Sequence, residues 1–348
     1  MSQVITVKGP ISPEELGITI FHTHVLIDLR TLFIMPEEAS RRALAEAPLT
    51  LENLGAVRRD AVAVRDNLFI GDVDAAVREL TRYKMMGGNS VVEVSARGIG
   101  RDPVGLLKIA NATGLNLVCC TGYYIGASHP PVVAQSSQSE LCAMMVNELT
   151  RGIGTTGIRA GVIKIALGTS EGRPFVTDNE EKAFRAAARA QAETGAALEM
   201  HPARPYTDKH WDTYFDIIRQ EGGHLDKCVA CHMEFFAQDV AYQKSLVDRG
   251  VTVSYDQFGG EEYFYSRGDA YPPDKLRVDG VVALVEAGYA GQIVLSNEVA
   301  MKCNYVQFGG HGYGHLLENI VPEFRSRGVT DGQIHAMLVE NPRRLLPF

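Results

Sequence analysis

Polar side chains, all but one of them histidines or a carboxylate of the kinds that bind metals, lie in or at the ends of several short apolar runs in this 348-residue chain. They are His22, His24, Lys164, His201, His232 and Glu298. His22 and His24 are two residues apart, so on a β-strand both imidazoles face the same side and can meet one metal ion. Two hydrogen-bonded core histidines are the competing interpretation of this pair. The single histidines that end two further runs favour the metal.

Lys164 lies within the apolar run "VIKIAL". On a buried strand an unpaired ammonium costs several kcal/mol or loses its proton. A buried ion pair is one explanation for a lysine in this position. The other is a neutral amine that reacts with carbon dioxide, because the two oxygens of the resulting carbamate can bridge two metal ions. Both explanations stay open at this point.

The segment Cys228-Val-Ala-Cys231-His232 has three interpretations. Its C-x-x-C-H spacing matches a c-type haem attachment site, Cys228 and Cys231 could form a redox pair, and His232 alone could bind a metal. Six cysteines in so long a chain are too few for a disulfide scaffold, which fits a reducing compartment. Haem attachment requires an exported chain. We therefore interpret the cysteines as small buried side chains of a strand and His232 as a ligand.

Eight apolar runs alternate with longer amphipathic segments. They span residues 18–25, 89–95, 115–124, 160–167, 196–202, 228–233, 251–257 and 292–298. Runs of this length, rich in Val and Ile, suit parallel strands buried on both faces. No G-x-G-x-x-G motif follows the first run, which argues against a dinucleotide-binding sheet. We predict an α/β fold, a (β/α)8 TIM barrel, as a single domain over residues 1–348 with a helical insertion at about 35–68.

The composition argues against several classes of partner. Hydrophobic residues make up 45% and charged residues 22% of the chain, as in a soluble globular protein. The net charge is −8 and the basic residues are scattered, so we expect no nucleic-acid partner. The N-terminus lacks a signal-peptide pattern, and no run approaches the roughly 18 apolar residues of a membrane span. These patterns predict a cytoplasmic protein with no membrane partner.

The order of the candidate ligands resembles that of the phosphotriesterase-like branch of the amidohydrolase superfamily. The shared order is H-x-H on the first strand, Lys on the fourth, His on the fifth and sixth, and an acidic residue on the eighth. Further similar segments are "GPISPEELGITIFHTHV" (9–25), "GIGRDP" (98–103), "TGYY" (121–124), "YDQFG" (255–259), "GGHGYGHLLENIVP" (309–322) and "NPRRLL" (341–346). They span nearly the whole chain in the family's order.

The resemblance implies two divalent metal ions, zinc in the first place, with manganese, cobalt or iron as alternatives. By position, the two first-strand histidines and Glu298 would hold the buried metal, and His201 and His232 the more exposed one. Lys164, as N6-carboxylysine, would bridge both ions and share the catalytic role with Glu298. A bridging hydroxide would be the nucleophile. Glu298 stands where most relatives carry Asp, and we expect the pocket to have adjusted to the longer side chain.

Loop residues near the predicted barrel mouth are candidates for substrate contacts. They are Tyr123, Tyr124, Arg204, Trp211, Tyr263, Phe264 and Tyr265. Packing of a long loop against the barrel is the competing interpretation of each aromatic residue.

The resemblance implies a metal-dependent hydrolase of a small carboxylic ester. A lactone is the first expected substrate, with side activity on phosphotriesters. An amide or N-acyl bond is the nearest alternative, and a small-molecule binding protein with weak catalysis is the alternative from another class. Relatives often form dimers, so a homodimer is one expected assembly.

Overall fold

Eight parallel strands form one sheet in the computed structural model, which describes residues 2–168 and 172–348. The strands are β1 Thr19–Thr23, β2 Ser90–Glu93, β3 Asn116–Tyr123, β4 Val162–Ala166, β5 Leu198–His201, β6 Cys228–Ala230, β7 Thr252–Tyr255 and β8 Ile293–Leu295. Each strand pairs in parallel with the next one along the chain. The Ser296 hydroxyl, just after β8, accepts from the His22 N–H at 3.1 Å and donates to the His22 carbonyl, which joins the two edge strands. The predicted (β/α)8 barrel is confirmed.

Helices connect consecutive strands and cover the outside of the barrel. They are α1 Ala39–Ala45, α2 Leu54–Arg59, α3 Val73–Met85, α4 Pro103–Thr113, α5 Pro131–Gln135, α6 Gln138–Thr150, α7 Asp178–Thr194, α8 Trp211–Gln220, α9 Val240–Val247, α10 Asp274–Glu286, α11 Val321–Ser326, α12 Asp331–His335 and α13 Asn341–Leu345. In α7 the Thr177 hydroxyl accepts from the Glu180 N–H, and Gly195 ends the helix at φ 74°. The helix thus begins at a side-chain cap and ends at a left-handed glycine.

Alternation along the strands divides the apolar core into two layers. On β4, Val162 belongs to the inner cluster, whereas Ile163 and Ile165 pack outward against the helices. Lys164 shares the inner face with Val162, since side chains two residues apart point the same way. Gly122 pairs with Lys164 across the sheet, and a Cβ there would lie 2.0 Å from the Lys164 carbonyl oxygen. Only glycine therefore fits beside the backbone of this lysine.

The connection from β1 to α3 contains α1, α2 and a 3-10 turn at Arg65–Leu68. A short antiparallel pair, Ile27–Asp28 with Phe69–Ile70, frames it. The Lys302 ammonium contacts Asp66 at 2.6 Å, and the Cys303 N–H donates to Asn67 at 2.8 Å. The insertion is thus attached to the loop after β8, at the end of the barrel where the strands terminate.

Among the described residues, no helix is both long and apolar enough to cross a bilayer.

Candidate active site

The carboxyl ends of the strands bring the six predicted metal-binding residues into one buried group, which we call the strand-end cluster. Its members are His22, His24, Lys164, His201, His232 and Glu298, and the lysine and the four histidines are at most 6% exposed. Parallel strands end at the same rim of a barrel, so polar residues at these positions converge. The cluster is therefore a consequence of the strand register.

Glu298 joins the two histidines of β1. Its Oε1 lies 3.0 Å from Nε2 of His22 and 3.4 Å from Nε2 of His24. Donor atoms around a tetrahedral zinc ion at about 2.0–2.1 Å lie about 3.3 Å apart, so this spacing fits such an ion. The three residues form one of the groups with compatible metal-binding atoms.

The protonation states of His24 and Glu298 suit ligation, whereas a metal must displace a proton from His22. Burial and Lys164 oppose that proton, but Cys231 and Asp256 raise the pKa of His22 well above its usual value. Burial lowers the pKa of His24 to about 4, so its ring is neutral at pH 7. Burial opposes ionisation of Glu298, but His232, His22 and His24 hold the pKa of its carboxyl well below the usual value. Neutral imidazole and ionised carboxylate are the forms that bind metals.

Glu199, two residues before His201 on β5, contacts the other ring nitrogen of His22. Its Oε2 lies 2.9 Å from Nδ1 of His22, and both side chains are fully buried. A proton on Nδ1 donates to this carboxylate, which leaves Nε2, 3.0 Å from Glu298, as the nitrogen through which His22 would bind a metal. Glu199 therefore selects the ring tautomer that can bind a metal in the cluster. This residue was absent from the sequence prediction, although its spacing from His201 places both on one strand face.

His232 adopts a left-handed backbone conformation, with φ 60° and ψ 39°. The Asp256 carboxylate accepts from the His232 backbone N–H at 3.1 Å and contacts its Nδ1 at 2.7 Å. A left-handed non-glycine residue costs of order 1–3 kcal/mol, and such strain concentrates at functional sites. Asp256 thus fixes both the backbone turn and the ring direction. It too was missed, although it lies in the "YDQFG" segment.

His201 and His232 form the second part of the cluster. Their facing atoms, Nδ1 of His201 and Nε2 of His232, are 2.7 Å apart. The Tyr206 hydroxyl lies 3.3 Å from the other nitrogen of His201. Burial, with His232 and Lys164, holds the pKa of His201 well below its usual value. The His201 ring can therefore present a neutral nitrogen to a cation.

Lys164 lies between the two parts of the cluster. Its Nζ is 3.3 Å from Nε2 of His22 and 4.0 Å from the Cys231 sulfur. Burial opposes a charged amine, but Cys231, Glu199, Glu298 and Asp256 together raise the pKa of Lys164 above its usual value. These surroundings favour the ammonium over the neutral amine considered from the sequence. Carboxylation of Lys164 stays a prediction, and it requires cations to offset the same carboxylates.

A cavity of about 50 Å³ lies directly above Glu298, His24 and His201. Its apolar wall is formed by Leu29, Leu32, Val62, Leu68, Phe264, Ala300 and Met301. A wider pocket of about 580 Å³ adjoins it and shares Leu32, Tyr124, His201 and Arg204 with it. Arg204 therefore lines the wider pocket and the cavity at the place where the two meet.

Four residues from the segments after β5 and β7 line the cavity, and we call them the mouth cluster: Arg204, Tyr206, Phe264 and Tyr271. The Arg204 guanidinium donates to the Tyr206 hydroxyl at 3.1 Å and the Tyr271 hydroxyl at 3.0 Å. It also lies 5.5 Å from the centre of the Phe264 ring and 3.4 Å from an Asp269 oxygen. The cation is thus held in place at the entrance by phenols and one carboxylate.

The predicted substrate-binding residues divide into two groups. Tyr124, Arg204 and Phe264 line the cavity, and the Tyr124 ring packs edge-on against His201 with 5.5 Å between centres. The structure does not bring the other predicted tyrosines to it. Tyr123 packs behind the sheet with its hydroxyl near Met144, whereas Tyr263 and Tyr265 are 40% and 56% exposed. Trp211 is fully buried in α8 against Tyr214 and Phe215.

The two cysteines beside His232 are free thiols in the core. Burial raises the pKa of Cys228 above its usual value, so the thiol is protonated at neutral pH. Cys231 belongs to the inner barrel cluster, with its sulfur 3.9 Å from Glu199. The structure places Cys228 and Cys231 on or beside β6 as buried fillers, as the sequence interpretation proposed.

Comparisons with known proteins identify the family. The profile described as "Phosphotriesterase family" matches residues 2–346. An N-acetyltaurine hydrolase of Tetraodon nigroviridis is 33% identical, over 99% of this chain and 98% of its own. A solved resiniferatoxin-binding protein from Rhodobacter sphaeroides is 34% identical with a TM-score of 0.94, over 99% of this chain and 95% of its own. A mutant phosphotriesterase-like lactonase from Deinococcus radiodurans is 26% identical with a TM-score of 0.74, over 99% of both chains. These matches confirm the resemblance drawn from the motifs: the chain belongs to the phosphotriesterase family.

Proposed function

We propose that this protein is a metal-dependent hydrolase of a small N-acyl amide whose amine part carries an anionic group. The observation that carries the proposal is the position of Arg204, whose side chain lines both the wider pocket and the cavity above the strand-end cluster. The relatives named N-acetyltaurine hydrolase support the amide, since N-acetyltaurine joins an acetyl group to an amine that ends in a sulfonate.

The donor set fits two divalent cations of the family. The first-strand histidines and Glu298 would hold one ion. His201 and His232, whose facing nitrogens are 2.7 Å apart, would hold the other, and the Lys164 amine lies 3.3 Å from His22. When bound, such ions lower the pKa of water and polarise a carbonyl oxygen. Glu199 and Asp256 keep the rings in the tautomers that ligation needs.

The remaining steps belong to the protein's own side chains. Arg204 attracts the anionic end of the substrate and leaves the acyl group pointing toward Glu298. The apolar wall, including Leu29 and Met301, excludes bulk water from the acyl carbon. Water adds to this carbon, the C–N bond breaks, and a carboxylic acid and an amine leave. Glu298 is placed to carry the proton from the attacking water to the departing nitrogen.

The test compares N-acetyltaurine with N-ethylacetamide, which lacks the sulfonate, using protein supplied with zinc. We expect the wild type to prefer the sulfonate by at least tenfold in kcat/KM, and Arg204→Gln to lose most of that preference. Arg204→Lys, the matched control, should keep part of it because the charge remains. Turnover of neither amide would contradict the proposal. Saturable binding of N-acetyltaurine without product would favour the binding-protein alternative.

A lactone or ester is the second candidate. The apolar wall of the cavity and the similarity to a solved phosphotriesterase-like lactonase favour it. The same site can attack either carbonyl, so a panel that includes a γ-lactone and a phosphotriester separates these classes. Faster turnover of the lactone than of every anionic amide would make the lactone the primary substrate.

A further inference from the structure

Gln257 lies on the cavity wall, two residues after the end of β7. Its side chain combines a contact to Glu298 with an acceptor atom that has no partner among the described residues. The residue is 1% exposed. Its backbone N–H donates to the Glu234 carboxylate at 3.0 Å, and its backbone bridges to Asn297. The side chain is therefore held from a fixed strand end rather than from a loose loop.

Glu298 determines which way the Gln257 amide faces. Nε2 of Gln257 donates to Oε2 of Glu298 at 3.2 Å. An ionised carboxylate only accepts hydrogen bonds, so the reversed amide would bring two acceptors together. The carbonyl oxygen of Gln257 must therefore face away from Glu298.

That carbonyl oxygen, Oε1, is buried and has no hydrogen-bond partner within the described ranges, 2–168 and 172–348. Buried polar atoms are nearly always paired, and an unmade hydrogen bond is costly. Another buried glutamine, Gln191, has both ends of its amide paired, with the His224 N–H and the His224 carbonyl. Because Gln257 lines the cavity beside Glu298, we take this unpaired oxygen as the acceptor for a donor group that binds there.

We infer that Gln257 is the residue that selects an N–H in the leaving group, while its other end positions Glu298. The inference rests on the proposed function and names its discriminating contact. An N–H of a scissile amide donates to Oε1, whereas the corresponding oxygen of an ester or lactone presents a lone pair to another lone pair. The Gln257 side chain thus favours an amide substrate over an ester. Its contact to Glu298 also keeps that carboxylate near the substrate nitrogen that must be protonated.

The activity test uses N-acetyltaurine and its oxygen isostere, the acetate ester of 2-hydroxyethanesulfonate. In Gln257→Met and Gln257→Leu, any displacement of Glu298 lowers both activities, and this shared loss cancels in their ratio. We expect kcat/KM for the amide to fall about three- to tenfold more than for the ester, as one neutral hydrogen bond predicts. Gln191→Met is the control, because it removes an equally buried amide without touching the cavity.

A second readout does not depend on turnover. Calorimetry compares a methylphosphonamidate of taurine, which carries P–NH, with the matched methylphosphonate ester, which carries P–O. We expect the wild type to bind the P–NH compound more tightly and both Gln257 variants to lose that difference. Equal losses for amide and ester, or no wild-type preference for P–NH, would overturn the inference even if the amide is hydrolysed. Absence of amide turnover with the P–NH preference intact would instead reject the proposed reaction alone.

Discussion

The strand-end cluster and the mouth cluster lie next to each other but are constructed differently. Members of the strand-end cluster stand on barrel strands or within a few residues of their ends, and buried carboxylates such as Glu199 and Asp256 hold their rings. The residues of the mouth cluster lie on the segments after β5 and β7. Hydrogen bonds from Arg204 to the hydroxyls of Tyr206 and Tyr271 hold the cluster together. The difference teaches that the fold fixes the chemistry, whereas the loops fix the substrate.

The largest expected effect comes from Lys164, at the centre of the strand-end cluster. We expect Lys164→Met and Lys164→Arg each to lower kcat/KM about 1000-fold or more, because neither can form the predicted carbamate. Arg keeps the charge among Glu199, Asp256 and Glu298, so only Met should also lower the melting temperature strongly. Kinetics, calorimetry and metal analysis measure the three effects. An Arg variant within tenfold of the wild type would show that Lys164 serves only as a buried cation.

Glu298 gives the next largest effect, because its carboxylate contacts both first-strand histidines and Gln257. Glu298→Asp withdraws the carboxylate by about 1.5 Å, and displacements of about 1 Å can cost roughly 100-fold in rate. We expect kcat to fall about 10- to 100-fold with little change in melting temperature. Unchanged or raised turnover in the Asp variant would show that the pocket has no specific need for the longer side chain.

Asp274 tests how firmly the loop side of the barrel is anchored. Its carboxylate accepts from the Gly259 N–H at 2.9 Å and from Arg277 at 2.7 Å, and it contacts His315 at 2.6 Å. Burial opposes its ionisation, but His315, the Gly259 N–H and Arg277 lower the pKa of Asp274 to about 2. Its folded pKa is below the unfolded value, so the contribution is present above pH 4 and is lost as the pH falls toward 2.

We therefore expect Asp274→Asn to cost about 2 kcal/mol of unfolding free energy at pH 7. The difference from the wild type should shrink as the pH falls from about 4, as urea unfolding at several pH values can measure. Asp279→Asn, on the exposed side of the same helix, is the control and should cost under about 0.5 kcal/mol. A loss that does not change with pH would contradict the assigned cause.

The sequence was sufficient for the strand-end cluster because each member lies in a recognisable apolar run and their order along the chain resembles that of a known family. The same alternation that places Lys164 inside the barrel also pairs Gly122 with it and places Tyr123 beside Ile165 on the outer face. The register therefore identifies Tyr123 as a packing residue. The sequence of one strand, however, does not determine its register with the neighbouring strand.

The supporting and mouth residues were harder to find. Asp256 and Gln257 follow β7 without a distinctive spacing, and Tyr206 and Tyr271 come from loops that have no periodic pattern. Tyr206 lies on the same loop as Arg204, whereas Tyr271 lies on another loop, and its hydrogen bond to Arg204 spans 67 residues of sequence. Such contacts depend on how two loops pack in three dimensions, which composition and periodicity do not specify.

The smallest expected effect concerns the predicted tyrosines that the structure leaves outside the cavity. Tyr265 is 56% exposed and contacts Arg59 on α2, with 5.3 Å from the guanidinium carbon to the ring centre. We expect Tyr265→Ala to change kcat/KM less than twofold, whereas Tyr124→Ala, which removes the ring against His201, should lower it about tenfold. Both are measured with the same anionic amide. A larger loss of activity for the Tyr265 variant than for the Tyr124 variant would mean that the insertion closes over bound substrate. Substrate contacts would then extend beyond the residues that line the cavity.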